Sequence, residues 1–132
     1  MCSYNKVALS DDGQAQGLFS CENPLSLQRD LKERMNFSGF VVSDWYATHS
    51  LGLNAGLDIE MPGAHCSWLL RLLTPDDFAI LSQPASCTFQ TAATIEASIK
   101  NGQLSVARVD DAVRRILTAM FAIGEVSHLQ TY

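Results

Sequence analysis

The chain has 132 residues, of which 47% are hydrophobic, and its formal net charge is −5 at pH 7. This length and composition suit one small globular domain. The acidic balance and the lack of a basic stripe argue against a nucleic-acid partner. No apolar run approaches the roughly 20 residues that cross a membrane, and the N-terminus lacks the basic and apolar regions of a signal peptide.

The four cysteines follow no zinc-binding spacing, and the chain has neither a CxxC pair nor a glycine-rich phosphate loop. We therefore expect neither a metal nor a cofactor. Cys2 and Cys21 can form a disulfide across the first loop, but either can equally pair with sequence outside this chain. A fully reduced state of all four, with Cys66 and Cys87, also remains open.

The first elements are predicted to be a strand, a long loop and a helix. Residues 1–7 are typical of a short strand, and residues 8–20 of a surface loop rich in Ser, Asp, Gly and Gln. Asn23 and Pro24 predict the helix start, with the Asn as N-cap. An apolar residue recurs every four positions and predicts one buried face, formed by Leu27, Leu31 and Met35. The charged residues are predicted to form the solvated face; they are Arg29, Asp30, Lys32 and Glu33.

The segment 39–45 is an apolar run that ends in Asp44 and Trp45, which predicts a strand buried on both faces. Because helical patterns flank it, the strand belongs in a parallel α/β sheet or barrel. Residues just past the carboxyl end of such a strand face the ligand. A carboxylate beside an indole suits a sugar, since the acid can act on the anomeric carbon while the ring stacks on the pyranose face.

Residues 57–61 predict the next and last strand, with Asp58 and Glu60 on one face. Residues 64–90 form no readable pattern. A helix is then predicted over 91–100, with Ile95 and Ile99 on one face.

The final helix is predicted to begin at a Ser105 cap and to end at Gly124. Its apolar residues recur at helical spacing and predict a core-facing stripe, formed by Val109, Ala112, Val113, Ile116, Leu117, Met120 and Phe121. Arg114 and Arg115 are predicted to be solvated.

Five sequence blocks occur in order over roughly the first half of the chain. They are Met1-Cys2-Ser3-Tyr4-Asn5-Lys6-Val7, Cys21-Glu22-Asn23-Pro24, Gly39-Phe40-Val41-Val42-Ser43-Asp44-Trp45, Ala47-Thr48-His49-Ser50 and Ala55-Gly56-Leu57-Asp58-Ile59-Glu60-Met61-Pro62-Gly63. Two later blocks are Asn101-Gly102 and Val109-Asp110-Asp111-Ala112-Val113-Arg114-Arg115-Ile116-Leu117. Ser-Asp-Trp alone is a weak signal, but the ordered set resembles glycoside hydrolase family 3, the β-glucosidase-like enzymes.

The resemblance implies an α/β fold that is an incomplete TIM-type (β/α)8 barrel, with about the last three strands and their helices. A complete barrel of this type needs about 250 residues. We expect motif-bearing strands and helices at 1–63, a divergent insertion at 64–90 and closing helices at 91–125. The chain is therefore expected to be a fragment of a longer catalytic domain or a truncated gene product.

The resemblance also assigns the site residues. Retaining glycosidases attack the anomeric carbon with one carboxylate while a second, about 5–5.5 Å away, protonates the leaving oxygen. Asp44 matches the nucleophile, and Trp45 matches the sugar-stacking indole. Tyr4 matches a tyrosine whose hydroxyl can hydrogen-bond the nucleophile, and Met1 matches a residue that lines the same pocket.

The acid in this family comes from a segment that the chain does not contain. Within the chain, Glu60 and His49 are the alternatives, and a structural role competes with catalysis for each of them.

The implied function is the release of terminal β-linked glucose from β-glucosides or oligosaccharides by a retaining glycosidase. The chain alone is expected to be weakly active or inactive, because positioning and proton transfer each supply large rate factors. The competing interpretation is a non-catalytic sugar-binding remnant or a truncated product. Exposed strand edges and apolar faces of a partial barrel predict self-association. The family is often secreted, but the sequence predicts no compartment.

Overall fold

The computed structural model describes residues 1–9, 16–63 and 90–125. Within these ranges the chain forms a small α/β unit. Its strands are β1 (Lys6–Leu9) and β2 (Gln16–Phe19), its helices are α1 (Leu25–Arg34), α2 (Ala92–Lys100) and α3 (Val106–Ala122), and Ser20–Glu22 and Gly52–Ala55 are short 3₁₀ helices. None of the helices in these ranges has the length and apolarity that a bilayer crossing requires. The predicted insertion at 64–90 lies, except for Gln90, outside the described residues.

Three extended segments run parallel to one another and form the centre of the unit. Cys2 pairs with Ser43 on one side of the central segment, and Val42 pairs with Ile59 on the other side. The Ser43 amide donates to the Ile59 carbonyl at 2.9 Å, and the Asp44 amide donates to the Cys2 carbonyl at 2.8 Å. The three segments that were predicted to be strands therefore lie side by side, with the segment that ends in Asp44 in the middle.

The first loop is shorter than predicted, because part of it forms a hairpin. β1 pairs antiparallel with β2, from Lys6 opposite Phe19 to Leu9 opposite Gln16. The Lys6 ammonium lies 4.7 Å from the centre of the Phe19 ring. The prediction of one strand over 1–7 and a loop over 8–20 was wrong at these positions, because pairing between the two short strands outweighs their weak individual propensities.

α1 begins as predicted, but its winding places a charged residue in the core. The Asn23 side-chain oxygen accepts from the amides of the first turn, at 3.0 Å from Leu25. The helix is wound as a π-helix, and Met35 donates to the carbonyl of Asp30, five residues earlier. Hydrogen bonds in a π-helix join residues five positions apart, and Lys32, five residues after Leu27, is buried with it, whereas Met35 is exposed. The predictions of a solvated Lys32 and a buried Met35 were wrong.

The cap predicted at Ser105 is confirmed, and the helix predicted over 91–100 is also capped at its start. Thr91 and Thr94 exchange hydrogen bonds in a capping box at the start of α2, and the Ser105 hydroxyl accepts from the Arg108 amide at 3.2 Å at the start of α3. Gly124, with a φ of 83°, follows the end of α3. These ends are determined by adjacent residues, so a local pattern is enough to predict them.

The prediction that the whole apolar stripe of α3 is core was wrong. Leu53 and Leu104 pack with Ala112, and Val109 packs partly buried against them, together with Ile95 and Ile99 of α2. The residues on the other side of α3 are exposed; they are Val113, Leu117, Met120 and Phe121. Self-association through this face stays a prediction.

A disulfide between Cys2 and Cys21 joins the first parallel segment to the short helix Ser20–Glu22, with the two Cα atoms 5.2 Å apart. Of the states left open by the sequence, the structure therefore has this pair oxidised. Both cysteines are buried in the first core cluster, with Leu27, Val41, Ala47 and Leu57. The cross-link consequently packs in the same core cluster as Val41 and Ala47, which lie three positions before and three positions after Asp44.

Candidate active site

Asp44 lies at the carboxyl end of the central parallel segment, directly after Ser43. Its backbone is held by the 2.8 Å hydrogen bond to the Cys2 carbonyl. The Ser43 side chain is buried and accepts from the Met61 amide at 2.8 Å, which ties the same point to the third segment. The backbone at Asp44 is therefore fixed from both neighbouring segments.

The Asp44 carboxylate is held by neutral donors. The Trp45 amide donates to Oδ1 at 2.7 Å, and the Ser3 hydroxyl donates to Oδ2 over a long 3.4 Å. Among the described residues no lysine or arginine forms an ion pair with it. Because the group is partly exposed and the Oδ2 contact is weak, this oxygen remains accessible to a ligand.

Tyr4 lies next to this carboxylate and about half of it is exposed. Its hydroxyl donates to the Trp45 carbonyl at 2.7 Å. Desolvation and the negative charge of the nearby Asp44 carboxylate raise the pKa of Tyr4 above its ordinary value of 10.0. The phenol therefore stays protonated at neutral pH and can serve as a hydrogen-bond donor beside Asp44.

The indole of Trp45 is presented by a tight turn. The Ala47 amide donates to the Asp44 carbonyl at 3.2 Å, and Tyr46 has a positive φ of 56°. Trp45 is 52% exposed, so much of its ring surface is open to solvent. Met1 is 81% exposed at the start of the neighbouring segment. The structure thus brings Tyr4, Asp44 and Trp45 together and leaves Met1 at the margin of the group.

The two alternative acids have structural contacts. Glu60 is buried, and its oxygens accept from the Thr48 hydroxyl and, at 2.6 Å, from the Gln90 amide. The His49 ring stacks on Phe19 with centroids 3.5 Å apart. These contacts favour the structural role for both residues.

Some residues of the site carried no recognisable signal in the sequence. Ser3 reaches Asp44 across 41 positions, and the Ser20 hydroxyl binds the Ser3 backbone across 17. Glu22 accepts from the His49 amide. All three lie in or beside the recognised blocks, but only their position in space reveals their partners.

A second carboxylate lies at the other end of the same segments. Asp58 is fully buried and accepts from Lys32 Nζ at 2.7 Å and from Arg108 Nη2 at 2.6 Å. Its other oxygen accepts from the Val41 amide at 2.8 Å, at the start of the central segment. Arg115, which was predicted to be solvated, donates to the backbone carbonyl of Gly39 at 3.1 Å and was therefore placed wrongly.

An accessible carboxylate beside an exposed indole, at the carboxyl end of parallel segments, suits a carbohydrate-active α/β protein. Known proteins similar to this chain belong to that class. The chain is 38% identical over 127 residues to the probable beta-glucosidase L of Aspergillus terreus, an alignment that covers 95% of this chain and 14% of that protein. It is 32% identical over 123 residues to the beta-glucosidase cel3A of Pyricularia oryzae, covering 92% of this chain and 13% of the relative. No family model matches the chain.

Solved structures agree with these sequence relatives. The beta-D-glucoside glucohydrolase of Trichoderma reesei is similar with a TM-score of 0.58 and 30% identity, over 80% of this chain and 13% of that one. A glycoside hydrolase family 3 beta-glucosidase of Neurospora crassa is similar with a TM-score of 0.57 and 32% identity, over 80% and 11%. The resemblance of the sequence to glycoside hydrolase family 3 β-glucosidases is thereby confirmed. The chain spans 14% of the length of the first curated relative.

Proposed function

We propose that this chain forms the nucleophile-bearing part of a retaining β-glucosidase active site, within an incomplete (β/α)8 barrel. The three parallel segments would be neighbouring strands of that barrel, with the candidate site at their carboxyl ends. The substrate class, terminal β-linked glucose in β-glucosides or oligosaccharides, follows from the relatives that are named as beta-glucosidases.

Asp44 is proposed as the nucleophile. Its carboxylate oxygen would form a bond to the anomeric carbon while the leaving group departs, and water would later release glucose. Trp45 would stack on the sugar face, Tyr4 would donate a hydrogen bond beside the nucleophile, and Met1 would line the edge of the pocket. The observation that carries the proposal is the partly exposed Asp44 carboxylate, held by neutral donors next to an exposed indole.

The proton donor is proposed to lie outside this chain. Retaining enzymes need a second carboxyl group about 5–5.5 Å from the first. Glu60 is a poor candidate, because both of its oxygens bind structural partners. The isolated chain is therefore expected to turn over β-glucosides weakly or not at all.

The nucleophile can be tested without the missing acid. A 2-deoxy-2-fluoro-β-glucoside with a dinitrophenolate leaving group needs little protonation, and a covalent glycosyl-enzyme accumulates because its hydrolysis is slow. We expect mass spectrometry of the intact chain to show one added fluoroglucosyl group, and peptide mapping to find it on Asp44. The Asp44→Asn variant should remain unlabelled, and Asp30→Asn, which changes a carboxylate on α1, should label like the wild type. Labelling at another residue would refute the assignment.

A non-catalytic sugar-binding remnant is the second candidate, and the exposed Trp45 beside Tyr4 favours it. It predicts that glucose perturbs the Trp45 indole signal in NMR spectra while no covalent label forms. A chain that shows neither labelling nor glucose binding would exclude both functions for this polypeptide.

A further inference from the structure

Three consecutive residues, Ser20, Cys21 and Glu22, form one short 3₁₀ helix between β2 and α1. Each of their side chains is attached to a different part of the candidate active site. Ser20 and Cys21 are buried and Glu22 is partly buried. The three attachments therefore originate from one compact point behind the site.

Ser20 binds the backbone of Ser3, the residue whose hydroxyl donates to the Asp44 carboxylate. Its hydroxyl accepts from the Ser3 amide at 2.9 Å and also donates to the Ser3 carbonyl. The Ser3 hydroxyl in turn donates to the Asp44 carboxylate. Because both backbone groups of Ser3 are bound to one hydroxyl, the position of its side chain is restricted.

Cys21 is linked to Cys2, in the segment that is hydrogen-bonded to the Asp44 backbone. The disulfide joins it to Cys2, and the Cys2 carbonyl accepts from the Asp44 amide at 2.8 Å. A covalent link at this position limits how far the Cys2 carbonyl can move from the central segment. The hydrogen bond beneath Asp44 therefore depends on a covalent anchor.

Glu22 holds the far end of the turn that presents the indole. Its carboxylate accepts from the His49 amide and lies 3.9 Å from the His49 Nδ1 atom. The His49 ring also stacks on Phe19, the residue just before this helix. The segment that begins at Asp44 is thus tied at both ends to the same helix.

We propose that Ser20–Glu22 is the positioning element of the candidate active site, acting through Ser3, Cys2 and His49 without contacting the sugar. The role of the site as a glycosidase site rests on the function proposed above. The structural part of the inference, that this helix controls the geometry at Asp44, stands on the contacts alone.

The test is residue-specific amide hydrogen exchange measured by NMR on the full chain. In a Cys2→Ala/Cys21→Ala variant, we expect exchange at the Asp44 amide to accelerate about tenfold. In Ser20→Ala we expect a smaller acceleration at the same amide. The Ser43 amide is the internal control. It is adjacent in sequence but donates to Ile59 on the opposite segment, so its exchange should change less than about twofold.

The contact between Glu22 and the His49 amide is tested by two substitutions of Glu22. Glu22→Ala should accelerate exchange at the His49 amide, whereas Glu22→Gln retains an acceptor oxygen and should restore much of the protection. If the cysteine variant unfolds, the Ser20 and Glu22 variants keep the disulfide and carry the test.

A second readout separates positioning from general stability. Removal of the disulfide should lower the pKa of Tyr4 toward 10.0 if the Asp44 carboxylate moves away from it, which ¹³C-tyrosine NMR can follow. Equal acceleration at Ser43 and Asp44, or unchanged exchange at Asp44, would overturn the inference. None of these readouts uses turnover, so failure of the fluoroglucoside labelling would refute the nucleophile assignment and leave this result standing.

Discussion

Two carboxylates at opposite ends of the same parallel segments have opposite environments. Asp44, at the carboxyl end, is partly exposed and accepts from the Ser3 hydroxyl and the Trp45 amide. Asp58, whose oxygen binds the amide at the start of the central segment, is fully buried and binds Lys32 and Arg108. Both acids lie in segments that were predicted to be strands, so their difference arises from what surrounds them.

The difference separates a structural carboxylate from an available one. A charge removed from water is strongly disfavoured unless cations and hydrogen bonds compensate it, so Asp58 is committed to its partners. Asp44 retains solvent access and neutral donors, and its oxygens can exchange those contacts for a ligand. The contrast predicts that the two acids respond very differently to the same substitution.

The largest expected effect is the loss of stability in Asp58→Asn. The change leaves the buried Lys32 and the partly buried Arg108 without their shared anion. Breaking such a buried pair lowers the free energy of unfolding by about 3–5 kcal/mol. Asp44→Asn, the matched control, should cost less than about 1 kcal/mol because its donors are neutral and an amide oxygen can still accept. Urea unfolding followed by circular dichroism measures both. Similar losses of unfolding free energy in the two variants would contradict the difference between a buried, paired Asp58 and an accessible Asp44.

A smaller effect is expected for Lys32→Met, about 1–3 kcal/mol, because Asp58 keeps Arg108 and the Val41 amide. Burial, with the charges of Arg108 and Arg115, lowers the pKa of Lys32 below 10.5 despite its hydrogen bond to Asp58.

The unfolded chain therefore binds this proton more readily than the folded chain. The contribution of Lys32 to stability rises with pH through the interval below 10.5. Urea unfolding across that interval should show the rise in the wild type and its loss in Lys32→Met. An unchanged pH dependence would contradict the burial of a charged lysine.

Asp111 is a third carboxylate, paired with arginines, and its effect on stability is expected at acidic pH. Burial opposes ionisation of this carboxyl, but hydrogen bonds from Arg115 and Arg114 and the charges of Arg115 and Arg108 lower its pKa below 3.8. Its stabilising contribution is complete above 3.8 and is lost as the pH falls through the folded-state pKa. Asp111→Asn should therefore reduce the loss of stability that accompanies acidification, because this paired carboxylate is absent. A limb of unchanged slope would mean that Asp111 is not paired in solution.

The smallest effect is a local change in titration at Tyr4. Asp44→Asn removes the negative charge beside the phenol, so the pKa of Tyr4 should fall toward 10.0. NMR titration of ¹³C-labelled tyrosines measures the change, and Asp30→Asn on α1 should not alter the Tyr4 signal. If the pKa of Tyr4 is the same in the wild type and in Asp44→Asn, the two side chains are not neighbours in solution.

Most local features of this fold could be predicted, because adjacent residues decide them. The predicted caps at Asn23 and Ser105 each join a side chain to an amide within three positions. The apolar segments and the order of the motifs indicated the parallel arrangement and the place of Asp44. The hairpin β1–β2 was missed because each short strand depends on its partner.

Predictions based on a helical period of 3.6 residues were wrong where the winding or the partners differ from that assumption. The π-winding of α1 turned Lys32 into the core, and α3 carries apolar residues on more sides than its neighbours among the described residues cover. Periodicity shows that a residue shares a face with others, but it does not show whether that face has a partner.

The sequence by itself determined the family resemblance, the helix ends and the acid that follows the central apolar run. Only the tertiary structure decided which acid is neutralised, because Lys32 and Arg108 reach Asp58 from 26 and 50 positions away. It likewise decided that Ser20, Cys21 and Glu22 meet the segments around Asp44. Contacts of this kind depend on how distant elements pack, and no local pattern in the chain encodes them.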